Sequence, residues 1–208
     1  MIKKDFKNYI NRFGNKVTPH IKSLEIYDLL CNQYDSSMVL EIGPSTLYNN
    51  TDIYLGKANE RALMLYNELF KNGDNVYLIV DNQSDAYMKE NPERKRNIDV
   101  VMHFISRHMD KYDFNVKTSY GTFKRSIVET KSDLLDISGL LNSIISSGVL
   151  ATYNLASSVY LLNFSTATSY YLCDDRWLYI SSDNHECLHT IYNKYKDWIL
   201  KNTLKIVI

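Results

Sequence analysis

Apolar residues along the 208-residue chain recur at two different spacings, and the changes between them mark out the elements. Phe6, Tyr9, Ile10 and Phe13 are three and four apart, which predicts a helix closed by Gly14-Asn15. Thr18-Pro19 predicts a second helix start, with Ile21, Leu24, Ile26 or Tyr27, Leu29 and Leu30 on its inner face. Met38 to Ile42 reads as a short strand stopped by Gly43-Pro44. From Gly56 to Phe70 one broad stripe runs through Ala58, Ala62, Leu63, Leu65, Tyr66, Leu69 and Phe70, as on a helix packed against a core. Val76 to Val80 is then a fully buried strand by length and β-branching. Asp81 to Asn91 is polar and predicts a mobile loop, and Pro92 a helix start reaching towards Asp110. Phe114–Tyr120 and Thr122–Thr130 predict a hairpin around Tyr120-Gly121. Ser132 caps a predicted helix through Leu134, Leu141 and Ile145, ending at Ser147-Gly148.

Three strands follow in close order, Val159–Phe164, Ser169–Cys173 and Trp177–Ser181, joined by links short enough for hairpins. Asp183 caps a last predicted helix with Leu188, Ile191, Tyr192, Tyr195 and Ile199 inward. The expected fold is a single α+β domain over residues 1–208, with 1–37 a helical N-terminal part. In it, five or six helices pack against a largely antiparallel sheet. The strand-then-helix order of the first half allows one parallel crossover.

Composition narrows the function classes. Lys plus Arg and Asp plus Glu both number 24, so the net charge is zero. A large basic nucleic-acid surface is therefore not expected, because phosphate binding needs concentrated positive charge. No apolar run approaches the roughly 20 residues of a membrane-spanning helix, so no membrane is expected as a partner. The basic start, Lys3 and Lys4, is not followed by an apolar stretch, and three widely spaced cysteines (Cys31, Cys173, Cys187) suggest reduced thiols. The expectation is a cytoplasmic protein. The many Asn, Tyr, Lys and Ile suggest an AT-rich genome, of a low-GC Gram-positive bacterium or its phage.

Motifs for catalysis are sparse. His185-Glu186-Cys187-Leu188-His189 matches His-Glu-x-x-His and sets the two histidines one helical turn apart, the spacing of a zinc hydrolase. It opens its helix, Cys187 points away from the pair, and no His or Glu follows to complete the ligand set. The reading of the segment is an exposed first helical turn, with a metal at His185 and His189 as the minor alternative. Only 7 glycines leave no Walker or dinucleotide fingerprint. Lys89 to Arg96 is the densest basic run, broken by Glu90 and Glu93, and reads as a solvated helix start. No cofactor is expected.

The C-terminal third carries a resemblance. Tyr171-Leu172-Cys173-Asp174-Asp175-Arg176-Trp177, Ser181-Ser182-Asp183, and Leu188-x-x-Ile191-Tyr192-x-Lys194-Tyr195-x-x-Trp198-Ile199-Leu200 together resemble an uncharacterised Gram-positive family, catalogued as domain of unknown function 3885. Leu40-Glu41-Ile42-Gly43 is similar to its strand ending in Glu-Leu-Gly. Tyr54 to Phe70, with Ala58, Arg61 and Ala62, is similar to its first helix. The likeness covers about residues 38–202. Cys173 stands where the family usually has Tyr, and Trp177 after the Arg is a second departure. The resemblance implies a fold and no mechanism, and it suggests an accessory role close to toxin or phage-defence systems.

The expected function is therefore a non-enzymatic interaction protein of the immunity or anti-defence inhibitor type, binding a partner protein. The 17 Tyr fit it, because Tyr and Trp bury large area with few rotors at binding hot spots. The expected contact residues are Asp174, Asp175, Arg176 and Trp177, with Asp81, Asp85 and Tyr87 from the polar stretch. Tyr48, Tyr54 and Tyr87 are the tyrosines whose exposure discriminates. The alternatives are a small-ligand binder, of the kind that sequesters a nucleotide signal, and a metal-dependent hydrolase at His185–His189.

Overall fold

In a computed structural model, the residues described are 36–118, 121–150, 155–156, 158–163, 165–166, 168–182 and 184–200. The two helices predicted before residue 36, together with Cys31 and Asp183, lie outside them. Among the described residues seven strands form one sheet: β1 (Ser37–Glu41), β2 (Asn75–Asn82), β3 (His108–Thr118), β4 (Gly121–Lys131), β5 (Val159–Asn163), β6 (Thr168–Leu172) and β7 (Trp177–Ser182). Their order is β1-β7-β6-β5-β2-β4-β3, and every pairing is antiparallel. The α-helices are α1 (Thr51–Leu69), α2 (Asp85–Glu90), α3 (Asn97–Val101), α4 (Ile137–Leu150) and α5 (His185–Tyr195). The fold is the expected α+β arrangement of helices on an antiparallel sheet.

The parallel crossover takes an unexpected form. β1 and β2 point the same way and α1 connects them, but β7, β6 and β5 fill the space between. No parallel pair forms among the described residues, because the later β5-β6-β7 meander inserts between the first two strands.

Alternation along the strands sorts side chains to two faces. One face, through Val76, Leu78, Val80, Leu161, Tyr170, Leu172 and Ile180, packs with Ala58, Ala62 and Leu65 of α1, Leu140 and Ile144 of α4, and Leu188 and Ile191 of α5. The small Ala58 and Ala62 let α1 lie close to the sheet, and the buried Tyr170 hydroxyl donates 2.9 Å to the Ala62 carbonyl. The alternate positions Tyr77, Ile79, Tyr160, Leu162 and Tyr171 are buried as well. Most tyrosines on the predicted elements are thus packing residues: Tyr66, Tyr77 and Tyr195 are buried and Tyr192 half-buried.

Two local predictions change. Asp81–Asn91 is not a loop. β2 continues to Asn82, and Ser84 caps α2 by accepting from the Tyr87 amide. The helix expected from Pro92 shrinks to Asn97–Val101 plus one 3-10 turn, and β3 begins at His108, so the hairpin arms are longer than read.

Candidate binding surface at one end of the sheet

β1, β2 and β6 run in one direction, so their C-terminal ends share one end of the sheet with the starts of β5 and β7. The topology therefore gathers Glu41–Pro44, Asp81–Ser84 and Cys173–Arg176, which are far apart in sequence. The β6–β7 turn and the end of β2 are separated by β5 alone, roughly 10 Å at strand spacing.

The β6–β7 turn is built by its first aspartate. Asp174 Oδ1 accepts from the backbone amides of Arg176 (2.8 Å) and Trp177 (3.1 Å), and its Oδ2 meets Arg176 Nη2 at 2.7 Å. This is the local side-chain-to-backbone bonding that favours Asp in turns. Asp175 points the other way. It is 8% exposed, and its Oδ2 accepts 2.6 Å from the Tyr54 hydroxyl. Tyr54 sits in the first turns of α1, which starts there because Asn50 accepts from the Ile53 amide as N-cap. Burial, then the bond to Asp175, hold the Tyr54 phenol well above its ordinary titration range.

Gly43 explains why the first strand ends as it does. A Cβ at Gly43 would sit 2.2 Å from the Tyr54 hydroxyl oxygen and 2.4 Å from the Asp175 carbonyl. Only a residue without a side chain lets the three segments meet. The Ile42 amide donates to the Arg176 carbonyl at 2.8 Å, and Arg61 donates to the Glu41 carbonyl at 3.0 Å. The Arg61 guanidinium lies 4.6 Å from the ring centre of Trp198, and Leu40 bridges to Ile199. The segments that carried the family resemblance therefore form one clamp.

On this clamp sits an exposed patch. Tyr48 is 49% and Ile53 56% exposed, the Arg176 side chain is 48% exposed, and Trp177 is half-buried. The Tyr48 ring lies 4.7 Å from that of the buried Tyr54. Of the four turn residues expected to contact a partner, Arg176 is exposed, and Trp177 is half-buried on the sheet face opposite that of Leu178 and Ile180. Asp174 is engaged in its own turn, and Asp175 supports from below. Tyr48 and Ile53 were not among the expected contacts; Tyr48 stood out only as a loop tyrosine, and nothing in the spacing distinguished Ile53.

The residues expected from the Asp81 stretch separate. The Asp81 carboxylate turns to the opposite face of the sheet, where it binds the buried Arg125 side chain at 2.5 and 2.8 Å. Burial pushes its carboxyl up, against the opposing pull of Arg125. Asp85 is exposed and pairs with Arg96 at 2.5 Å, while Tyr87 is half-buried on α2. Asp85 also borders an open cleft of about 620 Å³ between α2–α3 and the β2-β4-β3 edge. Its floor is a bonded network. Asn82 donates to Ser126 Oγ (3.0 Å) and accepts from the Ile98 amide (2.9 Å), and Ser126 donates to Asp113 (2.6 Å). Three acids (Asp85, Asp99, Asp113) and three bases (Arg96, Lys111, Lys124) line it, so it has no net charge. Burial pushes the Asp113 carboxyl up, but the Ser126 bond and then Lys111 and Lys124 outweigh it and hold the group below its ordinary value.

At the His-Glu-x-x-His segment, His185 is the exposed first residue of α5. Its Nδ1 lies 3.0 Å from the Ser36 hydroxyl, and Asn184 is the N-cap. Among the described residues no group of three or more His, Cys, Asp or Glu side chains is placed to hold a metal ion. No described helix is long and apolar enough to cross a membrane.

A family model described as "Domain of unknown function (DUF3885)" matches residues 15–203, nearly the whole chain, and the chain belongs to that family. No curated protein and no solved structure matches it.

Proposed function

We propose that this chain is a non-enzymatic, cytoplasmic interaction protein, of the immunity or anti-defence inhibitor kind, that binds a partner protein through the sheet-end patch. The observation that carries the reading is the pairing of an exposed Tyr48 and Ile53 with an exposed Arg176, on a turn fixed by the Tyr54–Asp175 bond. An aromatic ring, an aliphatic side chain and an arginine on a rigid support are the residue types that dominate protein–protein hot spots. Rigidity matters because little ordering entropy then remains to be lost on binding. Arg176 is suited to the role because its bond to Asp174 is solvent-facing and can be exchanged for a partner carboxylate.

The test is affinity capture from the host with three baits: wild type, Arg176→Ala and Tyr48→Ala. A partner recovered with wild type and lost with both variants supports the reading. A partner recovered equally with all three, or none recovered with wild type, refutes it.

The cleft supports a second reading, a small polar ligand, because about 620 Å³ falls in the size range of ligand sites. Its cancelling charges favour a zwitterion over a nucleotide. A ligand-induced rise in melting temperature that Asp113→Asn abolishes would support it.

A further inference from the structure

We infer, resting on the small-ligand reading of the cleft, that it binds a small amino-acid zwitterion in one direction, carboxylate towards β3–β4 and ammonium towards α3. The charges lining the cleft cancel in sum but not in place. Its sheet wall carries two bases, Lys111 and Lys124, and one acid, Asp113, so positive charge is in excess there. Its helix wall carries one base, Arg96, and two acids, Asp85 and Asp99, so negative charge is in excess there. On the sheet wall both ammoniums share a single carboxylate. Lys111 lies 3.8 Å and Lys124 3.4 Å from the same Asp113 oxygen. The Asp113 carboxylate also accepts from the buried Ser126, so the point on which the ammoniums converge is fixed. Each ammonium has three donors, and most of them are unspent. On the helix wall Asp85 is engaged by Arg96. The Asp99 carboxylate, on an exposed residue, has no hydrogen-bond or ion-pair partner among the described residues.

The two walls are near enough to feel each other. The Asp85 carboxyl is held below its ordinary value first by the Arg96 bond and, more weakly, by Lys124 of the opposite wall. A simple anion drawn to the lysines meets Asp99 as a like charge, and a simple cation drawn to Asp99 meets the lysines. A molecule with both a carboxylate and an ammonium satisfies both walls at once. Of the ten lining residues Ile98 alone is apolar, and it is buried, so the rest of the molecule must be small or polar. A free amino acid and a dipeptide share this chemistry, and the volume of about 620 Å³ admits either. The lining charges are partly solvent-exposed, so each contact is weak, and a dissociation constant of roughly 0.1–1 mM is expected.

An NMR titration of the full chain tests this with L-serine and L-seryl-L-serine. Each is also offered as its N-acetyl derivative, which lacks the ammonium, and as its C-terminal amide, which lacks the carboxylate. At least one of the two zwitterions should bind, which identifies the source, and its capped forms should bind about tenfold more weakly or worse. Asp99→Asn should weaken the zwitterion about tenfold without weakening its N-acetyl form. Lys111→Gln with Lys124→Gln should weaken the zwitterion likewise without weakening its amide. Far-UV circular dichroism confirms that each variant is folded. A capped form that binds as tightly as the zwitterion, or binding that neither variant weakens, overturns the proposal and leaves the small-ligand reading intact. No binding of either zwitterion at roughly tenfold above the expected constant overturns it as well. The small-ligand reading fails separately, if sugars, phosphates and polyamines also leave the melting temperature unchanged.

Discussion

Tyr54→Phe isolates the clamp that supports the patch. The ring is retained, so the contact with Tyr48 at 4.7 Å survives and no large cavity opens. One hydroxyl is lost, and with it the 2.6 Å bond to Asp175, a residue 8% exposed. A bond to a charged group contributes about 1.5–3 kcal/mol, and a buried carboxylate deprived of its donor bears the desolvation penalty. With a urea slope of about 3 kcal/mol/M, the midpoint should fall by roughly 0.5–1 M with unchanged slope. Trp177, two residues from Asp175, is a local fluorescence probe, and far-UV circular dichroism follows the whole fold. In an Asp175→Ala background the acceptor is already gone, so Tyr54→Phe should cost much less than in wild type, the coupling signature of a direct pair. A midpoint shift below about 0.2 M in the wild-type background would refute the reasoning. So would equal costs in both backgrounds.

Gly43→Ala should destabilise by about 1–3 kcal/mol, since its methyl group would lie 2.4 Å from a backbone carbonyl that cannot rotate away; a urea melt reads the loss. Arg176→Ala should change stability by no more than about 0.5 kcal/mol, because its pairing with Asp174 is solvent-screened, while partner capture falls. Arg125→Ala should cost about 3–5 kcal/mol, as it leaves the Asp81 carboxylate without its bidentate partner; calorimetry or a urea melt checks this. Asp113 has a lowered folded-state value, so its contribution is present above the unfolded-state value near 3.8 and is lost as pH falls through the folded-state value. The stability gap between wild type and Asp113→Asn should therefore shrink on acidification, and a gap that widens would reverse the sign of the argument.

The limits of the sequence reading follow from which interactions are local. β2, α1 and the β5-β6-β7 meander were legible because burial imposes a period on contiguous residues, as in Val76–Val80 and Ala58–Phe70. The polar run Asp81–Asn91 predicts a loop, and α2 starts inside it because Ser84 accepts from the Tyr87 amide. The turn bonds of Asp174 span only two and three positions, so its role is of the local kind that favours Asp in turns. Asp175 carries the same chemistry and the opposite role, and no local pattern separates the two. What separates them is a hydroxyl 121 residues earlier. Gly43 has the same character: its need for a missing side chain comes from Tyr54 and Asp175, which reach it only after α1 has crossed the sheet. The resemblance motifs looked like a list of separate features, and a contact surface was inferred from one of them. Folded, Glu41–Gly43, Tyr54, Arg61, Asp175 and Trp198 are a single support. On the proposed reading, recognition falls to the side chains the support leaves exposed, Tyr48, Ile53 and Arg176. Variants of the support should weaken stability and binding together, whereas variants of these three should weaken binding alone.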